Sequence, residues 1–217
     1  MQRAAAGLPP SFGKQAMEDL RAKSIFHEIK NQISVCDLYT EIIRRTLEKK
    51  GIEDATITRA IKNIQNSLSL IADCANSLRE VRLQELRLAN LIDDAIEICK
   101  AYKEVSFANE ISLDTAINAD KNKFTSAVVK IIKNAIEAGA SKVKIYTRGD
   151  DILIENNGEP IPSEISENIF TEGFTTKSNG SGLGLMLTKN MLEEQGFVLG
   201  LEKSDKNLTI FNIHQKQ

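Results

Sequence analysis

Cysteine and proline are scarce in this chain, charge is nearly balanced, and each shortage closes off a class of function. The three cysteines, Cys36, Cys74 and Cys99, stand far apart inside apolar patterns and lack metal-ligand spacing. They read as small buried hydrophobes in a reducing compartment. Two of the four prolines fall in Met1–Gly13, a stretch without periodicity that reads as a tail or linker remnant. The 28 Lys and Arg residues are matched by 30 Asp and Glu, for a net charge of −2. No global basic field therefore points to nucleic acid. No apolar run approaches the roughly 20 residues that span a bilayer, and no signal peptide is evident. The expectation is a soluble, cytoplasmic chain, the catalytic part of something longer.

What is present is enough apolar content, 41% of 217 residues, to bury a core in one or two domains. From about Lys14 the pattern is helical: Ile25, Ile29, Ile33, Cys36, Ile43 and Leu47 draw one apolar stripe. Arg44, Arg45, Lys49 and Lys50 suit the negative end of that helix, and Gly51 suits the left-handed position after it. A solvated helix end explains this basic cluster better than a binding patch does. A second run, Ile57, Ile61, Ile64, Leu68, Ile71, Ala75, Leu78 and Val81, completes an antiparallel hairpin. Each stripe extends over more than three heptads, more apolar surface than one hairpin covers. A second copy, giving a four-helix bundle of two chains, is the expected remedy.

From Gln84 the texture is mixed. QELRL, VSFANEI, SKVKIYTR, DDILIEN, VLGLEKS and LTIFNIH read as strands, the last two as a closing hairpin. Ala89–Tyr102 and the run from Asp120, a capping residue, to Gly139 read as helices, with a short helix near Ser163–Ile169. This order suits a layered α/β sandwich.

The stretch Ile169–Leu185, IFTEGFTTKSNGSGLGL, carries most of the functional information. Gly180, Gly182 and Gly184 precede an apolar-periodic helix whose first N–H groups lack internal partners and welcome an anion. Thr175, Thr176 and Lys177 add hydroxyls and a cation. A lone run of glycines is equally a helix-capping linker. This one resembles the F-box and second glycine box of sensor histidine kinases, members of the GHKL ATPase superfamily, in its texture nearest the nitrogen- and oxygen-regulating branch.

Partner motifs stand upstream in that family's order. FHEIKN resembles the H-box: it implies His27 as the phospho-acceptor, Glu28 as the acidic residue assisting proton removal, and Asn31 at a position implicated in phosphatase activity. His27 lies off the apolar stripe among Lys30, Asn31 and Ser34, so a core histidine is disfavoured, and an idle surface histidine is the alternative. Gln32 stands where the family often has proline. KIIKNAIEA resembles the N-box, whose asparagine, here Asn134, coordinates Mg²⁺; an amide oxygen is a suitable hard ligand. Lys130 occupies the place where hydrolytic relatives keep a water-activating glutamate, which argues for a side-chain acceptor. IENNGEPIP resembles the first glycine box, with Asn156 in the aspartate place that receives the adenine amino group, Gly158 kept, and Pro160 replacing the second glycine. Thr209 is a weaker adenine-side candidate.

The resemblance implies an α+β chain: residues 1–13 a tail, 14–83 a dimerising and phosphotransfer hairpin, and 84–217 a Bergerat-type α/β sandwich that binds ATP and Mg²⁺. It implies autophosphorylation on His27 and passage of the phosphate to the receiver domain of a response regulator, while the apolar stripes point to a homodimer and the charge balance to no nucleic-acid partner. With an unperturbed pKa of about 6.5, a neutral imidazole is available near pH 7. Two rivals are a scaffold dimer whose ATP domain has decayed, which Asn156 and Pro160 favour, and a superfamily ATPase or serine kinase that never phosphorylates itself.

Overall fold

The computed structural model describes residues 10–77, 79–100, 105–176, 182–206 and 208–216, and the chain divides into two compact units, Met1–Asn76 and Ser77–Gln217.

The first unit consists of helices α1 (Pro10–Lys49) and α2 (Ala55–Ser77). Helix α1 opens inside the segment read as a tail, on a proline, whose fixed φ and missing N–H suit a first helical position. Its C-terminus closes as the left-handed glycine anticipates: Gly51 has φ 62°. The N–H of Ile52 bonds the carbonyl of Leu47 at 3.0 Å, and that of Gly51 bonds Glu48 at 3.1 Å, the Schellman pairing. Asp54 then caps α2, accepting from the N–H groups of Thr56 at 2.7 Å and Ile57 at 3.0 Å. Those two bonds hold its carboxyl below the ordinary range.

The expected stripes need correcting in detail. On α1, Ile29, Ile33 and Leu47 are half-buried, but Cys36 and Ile43 are exposed. Polar Thr40 takes the buried place between them, donating to the Asp37 carbonyl and lying 3.4 Å from Gln65 Nε2 on α2. On α2 the single stripe resolves into two seven-residue rows. Ile61, Leu68 and Ala75 are covered, while Ile57, Ile64 and Ile71 are exposed. Of the three cysteines only Cys99 is buried, Cys74 being half-buried.

The second unit is built on a five-stranded sheet in the order β2 (Ser106–Asn109), β4 (Lys142–Arg148), β5 (Asp151–Asn156), β7 (Thr209–Gln215), β6 (Phe197–Ser204). The β2–β4 pair is parallel and the others are antiparallel. Helices α3 (Leu88–Cys99), α4 (Lys121–Glu137) and α5 (Gly184–Glu193) pack on one another and cover one face. The core between the layers includes Leu91, Ile92, Phe124, Ile131, Ile132, Ile145, Ile154 and Leu192. Strand β4 alternates as a one-sided strand should, with Val143 and Ile145 inward and Lys142 and Lys144 outward. Gly149, with φ 62°, turns the β4–β5 hairpin at its first central position, the type II′ pattern. Strands β1 (Gln84–Arg87) and β3 (Ala116–Ala119) form a separate antiparallel pair. The residues read as a short helix hold one 3₁₀ turn, Ser163–Ile165.

Candidate nucleotide-binding site

Helix α4 is anchored at both ends, and this places the candidate residues near its C-terminus. At the N-terminus Asp120 is buried and accepts from the N–H groups of Asn122 and Lys123, each at 3.1 Å. It also accepts from the Arg82 N–H at 3.0 Å and from the Arg79 guanidinium. Burial pushes the Asp120 carboxyl up, but the Lys123 and Arg82 N–H bonds and the Arg79 charge outweigh it, and the net pKa lies below the ordinary carboxylate value. At the C-terminus Gly139, φ 79°, ends the helix, and the free Ala138 carbonyl accepts from the Glu159 N–H at 2.7 Å. Asn134 lies half-buried one turn before Ala138, whose N–H bonds the Asn134 carbonyl at 3.0 Å.

The end of β5 meets this helix end. A β-carbon at Gly158 would stand 2.9 Å from the Ala138 carbonyl oxygen and 3.1 Å from the Ala138 β-carbon. Glycine is therefore needed there by the approach of α4. Asn156 is buried, with its Oδ1 accepting from the Gly158 N–H at 3.1 Å and its Nδ2 donating to the Thr209 carbonyl at 3.3 Å. Strand register sets Asn156 directly opposite Thr209. The Thr209 hydroxyl is 2.9 Å from the Ser204 hydroxyl, which in turn accepts from the Ile161 N–H at 2.7 Å. Asn156, Gly158 and Thr209 are thus brought together, and Gly158 meets Ala138, one helical turn after Asn134.

Ser204 went unnoticed in the sequence. Its position is recoverable only once the β6–β7 hairpin is registered, because it then faces Thr209.

The glycine-rich stretch is described at its two flanks. Thr175 and Thr176 are exposed, while Lys177 and Gly180 lie outside the described residues. Gly182 has φ 70°, and a β-carbon there would be 2.2 Å from the carbonyl carbon of Gly173, a residue the motif reading passed over. Gly184 begins α5 with open space beside it. The residue before it, Leu183, supplies no side-chain cap. An anion has a place at such an end.

Among the described residues no group of three or more His, Cys, Asp or Glu side chains could hold a metal. A divalent ion here would draw on the Asn134 amide oxygen together with phosphate and water oxygens. That donor set suits Mg²⁺, which commonly keeps few protein ligands.

His27 and its neighbours lie on α1. The His27 side chain is outside the described residues; Glu28 and Asn31 are exposed. The Glu28 Oε1 accepts from Gln32 Nε2 at 2.6 Å, one turn on, which leaves its second carboxylate oxygen for a further partner.

Residues 119–216 match the family described as histidine kinase-, DNA gyrase B-, and HSP90-like ATPase. Sporulation kinase A of Bacillus subtilis is 25% identical over 205 residues, which cover 88% of this chain and 33% of that protein. The nitrogen regulation protein NtrY of Azorhizobium caulinodans is 25% identical over 206 residues, 85% of this chain and 26% of that protein. The chain thus spans a third or less of these two relatives. Among solved structures, the catalytic domain of histidine kinase ThkA is 27% identical with a TM-score of 0.51, covering 62% of this chain and 97% of that one. The Acinetobacter baumannii histidine kinase AdeS, 16% identical with a TM-score of 0.56 over 88% of this chain and 97% of that one, shares the fold. Asn134, Asn156 and Thr209 all fall within the residues that match this ATPase family, and the chain is similar over most of its length to the corresponding part of these histidine kinases.

Proposed function

We propose that the chain is an ATP-dependent protein-histidine kinase that autophosphorylates on His27 and passes the phosphate to an aspartate of a response regulator. The observation that supports this reading is the meeting of buried Asn156 with Gly158 and Thr209 where Gly158 closes on Ala138 at the α4 C-terminus. In this reading Asn156 and Thr209 take the adenine side and Gly158 lets α4 close on β5. Asn134 would hold Mg²⁺, which when bound would supply neutralisation of phosphate charge. Thr175, Thr176, Lys177 and the segment through Gly180, Gly182 and Gly184 serve the phosphates. Phosphoryl transfer asks mainly for such positioning and charge neutralisation.

The unprotonated ring nitrogen of His27 forms a bond to the γ-phosphorus as the bond to the β–γ bridging oxygen breaks, and ADP leaves with that electron pair. Glu28 takes up the proton given off by the phosphorylated ring. Lys130, in place of a glutamate, leaves water without an activating carboxylate. The phosphoryl group then moves to a receiver-domain aspartate docked against the hairpin, and Asn31 serves the reverse removal of aspartyl phosphate. The exposed row Ile57, Ile64 and Ile71 supports a homodimer through the hairpin.

Incubation with γ-labelled ATP tests the proposal. The unaltered chain gains acid-labile label; His27→Ala and Asn134→Ala do not. Label that survives His27→Ala removes the assignment, and a chain that binds no nucleotide is the scaffold rival.

A further inference from the structure

Two consecutive residues at the C-terminal end of α5 grip the first turn of α4. Gln195 is only 4% exposed, and both ends of its amide are used. Its Oε1 accepts from the Asp120 N–H at 2.8 Å and its Nε2 donates to the Met191 carbonyl at 2.6 Å. Beside it, Glu194 accepts from the ammonium of Lys123, a side chain 1% exposed. A lysine is seldom covered so completely without such a partner. Gly196, with φ 83°, then turns the chain into β6.

This grip lies at the far end of both helices from the candidate site. Helix α4 leaves it toward Asn134 and α5 arrives at it from Gly184, so the two helices, which pack on each other, run antiparallel. Each rises about 1.5 Å per residue. Eleven residues lead from Gly184 to Gln195, and eleven residues on from Asp120 stands Ile131, about one turn short of Asn134. Tying Gln195 to Asp120 therefore sets the α5 N-terminus abreast of the Asn134 turn. Apolar packing does not fix that register by itself. Leu187, Met191 and Leu192 are buried on α5, but apolar burial has no direction, whereas a hydrogen bond weakens steeply once its distance and angle are disturbed. Thr188 is buried too, yet its hydroxyl bonds the Gly184 carbonyl at 2.8 Å and stays within α5.

Resting on the nucleotide reading of this site, we propose that Gln195 and Glu194 are positioning residues for phosphoryl transfer, which lock the axial register of α5 on α4. The lock holds the first N–H groups of α5 where the phosphates of a bound nucleotide also reach the Asn134 turn. Neither residue touches the nucleotide. They act from about 16 Å along the helix, and a slip of one residue, about 1.5 Å, takes the phosphates out of line with one group or the other.

Displacement of a fluorescent ATP analogue from the full chain by Mg·ATP and by AMP tests this, because AMP fills an adenine site and lacks the β- and γ-phosphates. Gln195→Met keeps the length of the side chain and removes both of its bonds. Its affinity for Mg·ATP falls about tenfold, roughly one hydrogen bond's worth, while its affinity for AMP stays that of the natural chain. Glu194→Met behaves likewise, and Glu194→Gln, which still offers Lys123 an acceptor oxygen, restores Mg·ATP binding. Loss of folded protein lowers both affinities by one factor, so only a changed ratio reports positioning. A ratio equal to that of the natural chain in both methionine variants overturns the proposal. If Gln195→Met does not fold, the two Glu194 variants decide alone. Where AMP competes too weakly to read, circular dichroism supplies the folded fraction, and folded methionine variants that bind Mg·ATP as the natural chain does overturn the proposal. A natural chain that binds no nucleotide sinks the pocket reading instead, which separates the two failures.

Discussion

Gly182 and Gly173 meet backbone to backbone: a β-carbon on Gly182 falls 2.2 Å from the Gly173 carbonyl carbon, and both residues hold positive φ, 70° and 76°. Gly182→Ala therefore faces two penalties. The left-handed conformation costs an L-residue about 1–2 kcal/mol, and the clash is with main chain, which has no rotamer to give. Gly184→Ala is the matched control, because open space surrounds that position at the start of α5. Thermal unfolding and ATP titration should show lowered stability and lost nucleotide binding for Gly182→Ala, with Gly184→Ala as stable as the natural chain or more so. Equal behaviour of the two variants would show that the Gly173 contact does not matter.

Asp120 gives a signed pH dependence. Its folded-state pKa lies below the ordinary 3.8, so the unfolded chain binds the proton more readily. The stabilisation is fully present above the ordinary carboxylate value and is lost as the pH falls through the folded-state pKa. Asp120→Asn keeps the shape and removes the charge that serves Arg79 and the helix end. It should cost about 2 kcal/mol at neutral pH, in the range of a lost cap or charged hydrogen bond. Denaturant titrations at neutral pH and near pH 3 should show the gap between the two proteins shrinking on acidification. A constant gap would assign the stabilisation to packing alone.

These two sites mark what was and was not legible in the sequence. Asp120 and Gly139 are local signals, a capping side chain and a left-handed terminator, so the bounds of α4 follow from the chain itself. Gly51 was readable for the same reason. Strand β3 escaped because AINA is four residues long, too short for alternation to register, and gains definition only by pairing with β1. Thr40 takes a buried place in the α1 stripe that Cys36 and Ile43 were expected to fill, because a hydroxyl that back-bonds the Asp37 carbonyl can be buried without an apolar label. Around the pocket, Asn156, Gly158 and Thr209 were marked by family resemblance. The reason for each lies in non-local pairing: Gly158 answers to the α4 end, and the amide of Asn156 to a carbonyl 53 residues away.

Ser204→Ala isolates the link from the β6–β7 hairpin to the segment after Gly158. The Ile161 N–H loses its acceptor and the Thr209 hydroxyl its partner. A destabilisation of about 1–2 kcal/mol is expected for the half-buried site. ATP affinity should weaken along with it, whereas Ser204→Thr, which keeps the hydroxyl, should restore most of both. Failure of the threonine variant to rescue would mean that side-chain shape, not the hydrogen bond, is what matters at this position.

The two rows on α2 make a prediction about assembly. Ile61 is buried while Ile64 and Ile71, on the other row, are 47% and 49% exposed, and Leu38 on α1 is 58% exposed. Covering a large aliphatic side chain contributes about 1.5–3 kcal/mol relative to leaving it in water, so rows of this kind favour a partner surface of the same period. A second copy of the hairpin offers one, with apolar side chains at seven-residue spacing. Ile64→Lys with Ile71→Lys puts four ammonium groups into a dimer seam while leaving Ile61 and the Thr40–Gln65 contact untouched. Light scattering should find the natural chain at twice the chain mass and the double variant at one, since each buried and unpaired charge costs several kcal/mol. The ATP domain folds on its own core, so the variant should still bind ATP. A double variant that remains dimeric would show that the exposed α2 row is not the seam, and a natural chain that is monomeric at high concentration would remove the bundle altogether.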